Sequence, residues 1–90
     1  MKRINLIISG KVQGVGFRYY TKRTAISLNL KGYVKNLTNN SVEVVAEGAE
    51  AEIKQFIEWC KKGPSSSHIS DLKINYLPYT GEFKEFEIKH

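Results

Sequence analysis

Three observations predict an α+β fold, one antiparallel sheet with two helices on one of its faces. The chain has 90 residues, enough for a single core and no second one, so residues 1–90 are expected to form one domain. Its apolar residues recur with a period of two in some stretches and of three to four in two others, and the two kinds follow the order βαββαβ. At 41% hydrophobic and 26% charged residues, the composition is that of a chain that can close a core rather than stay disordered.

The elements follow in chain order. "INLIIS" sets Ile4, Leu6 and Ile8 against Asn5, Ile7 and Ser9, a strand with one face in the core. After a glycine-rich stretch, Phe17, Tyr20 or Thr21, Ala25 and Leu28 recur at helical spacing, and Gly32 is read as the stop. "YVKNL" and "SVEVVAE" are two strands joined at Thr38-Asn39-Asn40, whose asparagines tolerate left-handed backbone. Ile53, Phe56, Ile57 and Cys60 form the buried stripe of a second helix. Glu50 and Glu52 in its first turn and Lys61 and Lys62 in its last complement the helix dipole, and Gly63-Pro64 ends it. A serine loop, Ser65 to Ser67, leads to "LKINYL", and "EFEIK" is a short final strand set off by Pro78 and Gly81. A ferredoxin-like split βαβ sandwich with a short extra C-terminal strand satisfies this order.

The charge is uneven. Eight Lys and Arg residues and no acid lie between Met1 and Asn40, whereas the remaining fifty residues carry six basic and nine acidic side chains. The first half is therefore suited to attract an anion, although charge alone does not separate a small phosphate ligand from a nucleic acid. The apolar runs, such as Leu6-Ile7-Ile8, are too short for a membrane span, and no secretory pattern precedes Ile4, so a cytoplasmic protein is expected. Cys60 is the only cysteine and lies on the helix stripe, where it reads as core; with His68 and His90 isolated, neither a disulfide nor a metal or other cofactor is expected.

"SGKVQGVGFRYY" stands between the first strand and the first helix and holds three glycines and no acid. It is not a Walker A loop, because Gly14 is followed by Val15, nor a dinucleotide fingerprint, because Tyr19 stands where the third glycine belongs. A cysteine phosphatase would need an arginine at the position of Ser66. A glycine-rich turn at a helix start can still form a nest of N–H groups for an anion, with Arg18 adding a fork of donors. The loop alone fits that reading and an ordinary surface turn equally.

The longer string separates them. "GKVQGVGFR", Gly10 to Arg18, resembles the signature of the acylphosphatase family, and "GYVKN", Gly32 to Asn36, resembles its second element. "FEI", Phe86 to Ile88, is also similar, so the resemblance covers essentially the whole chain. It implies metal-free hydrolysis of acyl phosphates to a carboxylate and inorganic phosphate by direct attack of water. It further implies that Arg18 binds the phosphoryl oxygens with the amides of Gln13, Gly14, Val15, Gly16 and Phe17, and that Asn36 orients the water. Asn39-Asn40 departs from the Asp-Gly frequent at this hairpin, and Ser65 to His68 is an unusual version of its loop.

Inorganic phosphate or sulfate is then an expected competitor, and the expected state is a monomer with no membrane or nucleic-acid partner. An RNA-binding reading rests on "KGYVKN", which starts like the first RNP motif, but Val34 and Lys35 stand where a small residue and a stacking Phe belong. A non-catalytic anion-binding domain, of the kind built into larger maturation proteins, is the third reading. The end of the chain at residue 90 favours the free-standing enzyme over it.

Overall fold

The computed structural model describes all 90 residues. The elements are β1 (Lys2–Lys11), α1 (Phe17–Ser27), β2 (Lys31–Asn36), β3 (Val42–Gly48), α2 (Glu50–Lys62), β4 (His68–Leu77) and β5 (Phe86–Lys89). They form one sheet in the order β4-β1-β3-β2-β5. The first four strands are antiparallel to their neighbours, whereas β5 pairs parallel to β2, Gly32 opposite Phe86 and Lys35 opposite Lys89. The expected antiparallel sheet is therefore a mixed one. The fifth strand enters from the far edge, so it runs the way β2 runs.

Alternation along each strand makes two faces. Ile4, Leu6 and Ile8 of β1 pair with Ala46, Val44 and Val42 of β3, and all six are fully buried. α1 and α2 cover this face with Phe17, Thr21 and Ala25 and with Ile53, Phe56, Ile57 and Cys60. Tyr20 is exposed and Thr21 buried, which resolves the choice left by helical spacing. Burial pushes the Cys60 thiol far above its ordinary range, so it behaves as a core apolar residue. No helix is long and apolar enough to cross a membrane.

Two boundaries differ from the sequence reading. α1 ends at Ser27 and the chain turns off at Asn29, which takes the left-handed conformation at φ 58°, with the Leu30 N–H returning to the Ala25 carbonyl at 2.9 Å. Gly32 lies inside β2 instead, at φ 146°, where a Cβ would sit 1.9 Å from the Val45 carbonyl oxygen. It is a glycine for close strand approach, not for helix termination. β4 also begins earlier than "LKINYL", at His68.

The segment between β4 and β5 crosses the sheet face opposite the helices. Its Thr80 N–H and Gly81 N–H donate to the Glu47 carboxylate at 2.9 and 3.1 Å, Arg3 donates to the same group at 3.1 Å, and Phe83 packs edge-on against Tyr33. Glu47 is only 3% exposed. Burial pushes its carboxyl up, but the donors from Thr80, Arg3 and Gly81 outweigh this and hold it below its ordinary value of 4.5. A lowered folded pKa contributes stability that is complete above the unfolded value and disappears as pH falls through the folded one. Glu47→Gln should cost about 2–3 kcal/mol at neutral pH, the scale of hydrogen bonds to a charged group. It should also flatten the loss of stability between about pH 5 and pH 3. Urea midpoints across that range decide it, and parallel acid limbs in the two proteins would refute the assignment.

Candidate active site

The segment from Val12 to Gly16 joins β1 to α1, and its apolar side chains anchor it. Val12 and Phe17 are each 1% exposed and Val15 packs against the core, while Gly14 and Gly16 are exposed between them. Both glycines are left-handed, at φ 74° and 77°, a conformation that costs a side-chain-bearing residue and lets the chain turn sharply over its own core anchors.

The polar groups of the loop divide in two. Gln13 Nε2 donates to the Leu37 and Ser41 carbonyls, both at 2.9 Å, which ties the loop to the β2–β3 hairpin. The Val15 carbonyl accepts from Ser66 Oγ at 2.9 Å, which ties it to the serine loop after α2. By contrast, no backbone N–H from Gln13 to Phe17 donates to another group of the protein. Gly16 is the N-cap of α1 and supplies no side-chain cap, and the first turn holds no acid. Five consecutive donors at the positive end of a helix are thus without an acceptor in the protein.

Arg18 stands one residue into that helix. Its Nη1 lies 3.2 Å from His90 Nδ1 and at a long 3.5 Å from the Lys89 carbonyl oxygen. A guanidinium only donates, so Nδ1 of His90 is the acceptor in this contact. Asn36 closes β2 from the other side. Its Oδ1 is buried without any hydrogen-bond partner, one of three such side-chain atoms in the chain, and an unpaired buried acceptor is costly unless something occupies it in use.

One cavity of about 200 Å³ brings these groups together: Gly14, Gly16, Phe17, Arg18, Asn36 and His90 all line it. Gln13 and Val15, named with them from the sequence, do not lie on its wall. The Gln13 side chain is spent on the hairpin and the Val15 side chain on the core, so only their backbone N–H groups are left to serve. His90 was missed, and no local pattern marked it. The bracing role of Ser66 was missed as well, although the unusual serine loop was visible. Nowhere do three His, Cys, Asp or Glu side chains converge as a metal site would need.

Residues 4–88 match the family model for acylphosphatase. The acylphosphatase of Syntrophus aciditrophicus is 43% identical over 98% of this chain and 92% of its own length. The crystal structure of acylphosphatase from Bacillus subtilis superimposes with a TM-score of 0.96 at 34% identity, covering 100% of both chains. The fold also recurs within a larger protein. Full-length HypF, solved in a phosphate- and nucleotide-bound form, matches with a TM-score of 0.87 at 33% identity over 99% of this chain but only 12% of its own.

Proposed function

The chain belongs to the acylphosphatase family and is a hydrolase acting on acyl phosphates, and from that premise we propose that it cleaves the carboxyl–phosphate bond without metal, by direct attack of water. One observation carries the reading: Gly14, Gly16 and Phe17, whose amides donate to no group of the protein, line one small cavity together with Arg18 and with Asn36, whose Oδ1 is unpaired. The amides and Arg18 cradle the three phosphoryl oxygens. Asn36 Oδ1 accepts a hydrogen from the attacking water and so aims its lone pair at phosphorus. The P–O bond forms as the bond to the acyl oxygen breaks, the carboxylate leaves with the electron pair, and the proton lost by water ends on the phosphate product.

Such a reaction needs little acid–base help because a carboxylate is a good leaving group. Positioning and stabilisation of charge on a loose transition state carry the rate. Asn stays neutral beside the anionic substrate, where a carboxylate would repel it. The RNA reading loses ground for a steric reason. Tyr33 of "GYVKN" packs edge-on against Phe83 and donates its hydroxyl to Glu43, and the crossing segment occupies the sheet face on which bases would stack. We further read the protein as a monomer in the cytoplasm, where a lone cysteine such as Cys60 stays reduced.

Benzoyl phosphate should be hydrolysed in excess chelator, while a phosphate monoester, whose alkoxide needs a general acid to leave, stays almost untouched. Inorganic phosphate should compete with substrate. At a hundredfold excess over its dissociation constant it should stabilise the fold by about 2.7 kcal/mol at constant ionic strength. Turnover that disappears with chelator and returns with a divalent metal would overturn the mechanism.

A further inference from the structure

Beside the catalytic cavity lies a groove of about 290 Å³ between α1 and β5, lined by Tyr19, Lys22, Arg23, Ile26 and Ile88. Tyr19 and Ile88 also line the cavity that holds Arg18 and Asn36, so the two spaces have these walls in common. The groove follows the helix onward from Arg18. At 3.6 residues per turn Lys22 is turned about 40° from Arg18 and Ile26 about 80°, each one turn further along.

The groove is built for an apolar body. Tyr19 is 58% exposed and Ile26 54%, and neither belongs to the core. The Tyr19 ring is braced edge-on by Tyr20 at 5.2 Å, and Ile88 is anchored against the core. No acidic side chain lines the space, and the stems of Lys22 and Arg23 add apolar surface to its rim. A concave, mostly apolar surface next to a few polar groups is the usual form of a small-molecule site.

The walls of the catalytic cavity also divide by task in the proposed reaction. Val12, Gly14, Gly16 and Phe17 belong to the loop around the phosphoryl group, and Asn36 holds the water. Attack on phosphorus is in line, so the acyl oxygen leaves on the side away from that water. Tyr19 and Ile88 are the apolar walls left for the acyl part, and both continue into the groove.

We propose that this groove is the acyl-group subsite and that Ile26, at its far end, makes the enzyme favour acyl phosphates with an extended apolar chain over short ones. The inference rests on the proposed reaction and names its substrate class. Ile26 lies seven residues beyond Tyr19, about 10 Å along the helix at 1.5 Å per residue. An octanoyl chain spans that distance, and an acetyl group does not.

Acetyl phosphate and octanoyl phosphate, the latter kept below micelle-forming concentrations, are the test pair. The wild type should show a kcat/KM for octanoyl phosphate about tenfold or more above that for acetyl phosphate, because each methylene drawn from water adds to transition-state binding. Ile26→Ser should lower the octanoyl value about fivefold and leave acetyl phosphate and inhibition by inorganic phosphate within about twofold. Ile26→Leu keeps the apolar surface and should stay near the wild type on both. Ile26 lies outside the core, so both variants should melt near the wild type. Equal wild-type values for the two substrates, or a preference that Ile26→Ser leaves intact, would overturn the subsite. A wild type that hydrolyses neither substrate would instead overturn the proposed reaction, so the two failures are distinguishable.

Discussion

Arg18→Ala should lower kcat/KM for benzoyl phosphate by on the order of 10³ or more, roughly 4 kcal/mol of lost transition-state binding. Arg18→Lys should recover little of it. A guanidinium offers two parallel donors to two phosphoryl oxygens, whereas an ammonium offers a point charge that cannot reproduce that fork. In the proposed mechanism Arg18 binds phosphoryl oxygens in the ground state and the transition state alike, so binding of inorganic phosphate should weaken together with turnover. Stability should hardly move, because the internal contacts of Arg18 are the exposed ones to His90 and the Lys89 carbonyl. Steady-state kinetics, phosphate inhibition and a melting curve on each variant check all three statements. A lysine variant within tenfold of wild type would show that charge, not the fork, is what the site uses.

Asn36→Ala should separate what Arg18→Ala joins. In the proposed mechanism the amide meets only the attacking water, so phosphate should bind as to the wild type while kcat falls by on the order of 10²–10³. The fold should tolerate the change unusually well. Oδ1 of Asn36 is already buried and unpaired, and removing an unsatisfied acceptor relieves a desolvation cost rather than creating one. Unchanged or slightly higher melting with a collapsed kcat is therefore the expected pair of results. A kcat within about threefold of wild type, less than roughly 1 kcal/mol, would make Asn36 a strand residue with no part in the chemistry.

Much of this was legible without coordinates. β1 and α2 carry clean periodicities, and the residues they marked as buried are buried: Ile4, Leu6, Ile8, Ile53, Phe56, Ile57 and Cys60. The left-handed turn at Asn40 was visible from its asparagines. The loop from Gly10 to Arg18 and the run from Gly32 to Asn36 were legible as motifs, and the fold brings Gly14, Gly16, Arg18 and Asn36 to one cavity. Gly32 was misread because a glycine just beyond a helix looks the same in sequence whether it ends that helix or lets two strands approach. The nearby Val45 carbonyl, which excludes a side chain there, is a contact across the sheet.

What the sequence by itself determined is the set of elements, the face each one buries and the residue types of the candidate site. These depend on periods of two and 3.6 and on local backbone preferences, which a stretch of ten residues carries in full. Tertiary structure alone decided the parallel addition of β5, the burial of Glu47 beneath Thr80 and Gly81, the bracing of the loop by Gln13 and Ser66, and the contact between His90 and Arg18. Each joins residues far apart in the chain, 24 positions for Gln13 and Leu37 and 72 for Arg18 and His90. Periodicity reports that a face will be covered and that a donor must find an acceptor. Which remote backbone covers the face, and which carbonyl accepts, follows only when the whole chain closes on one core.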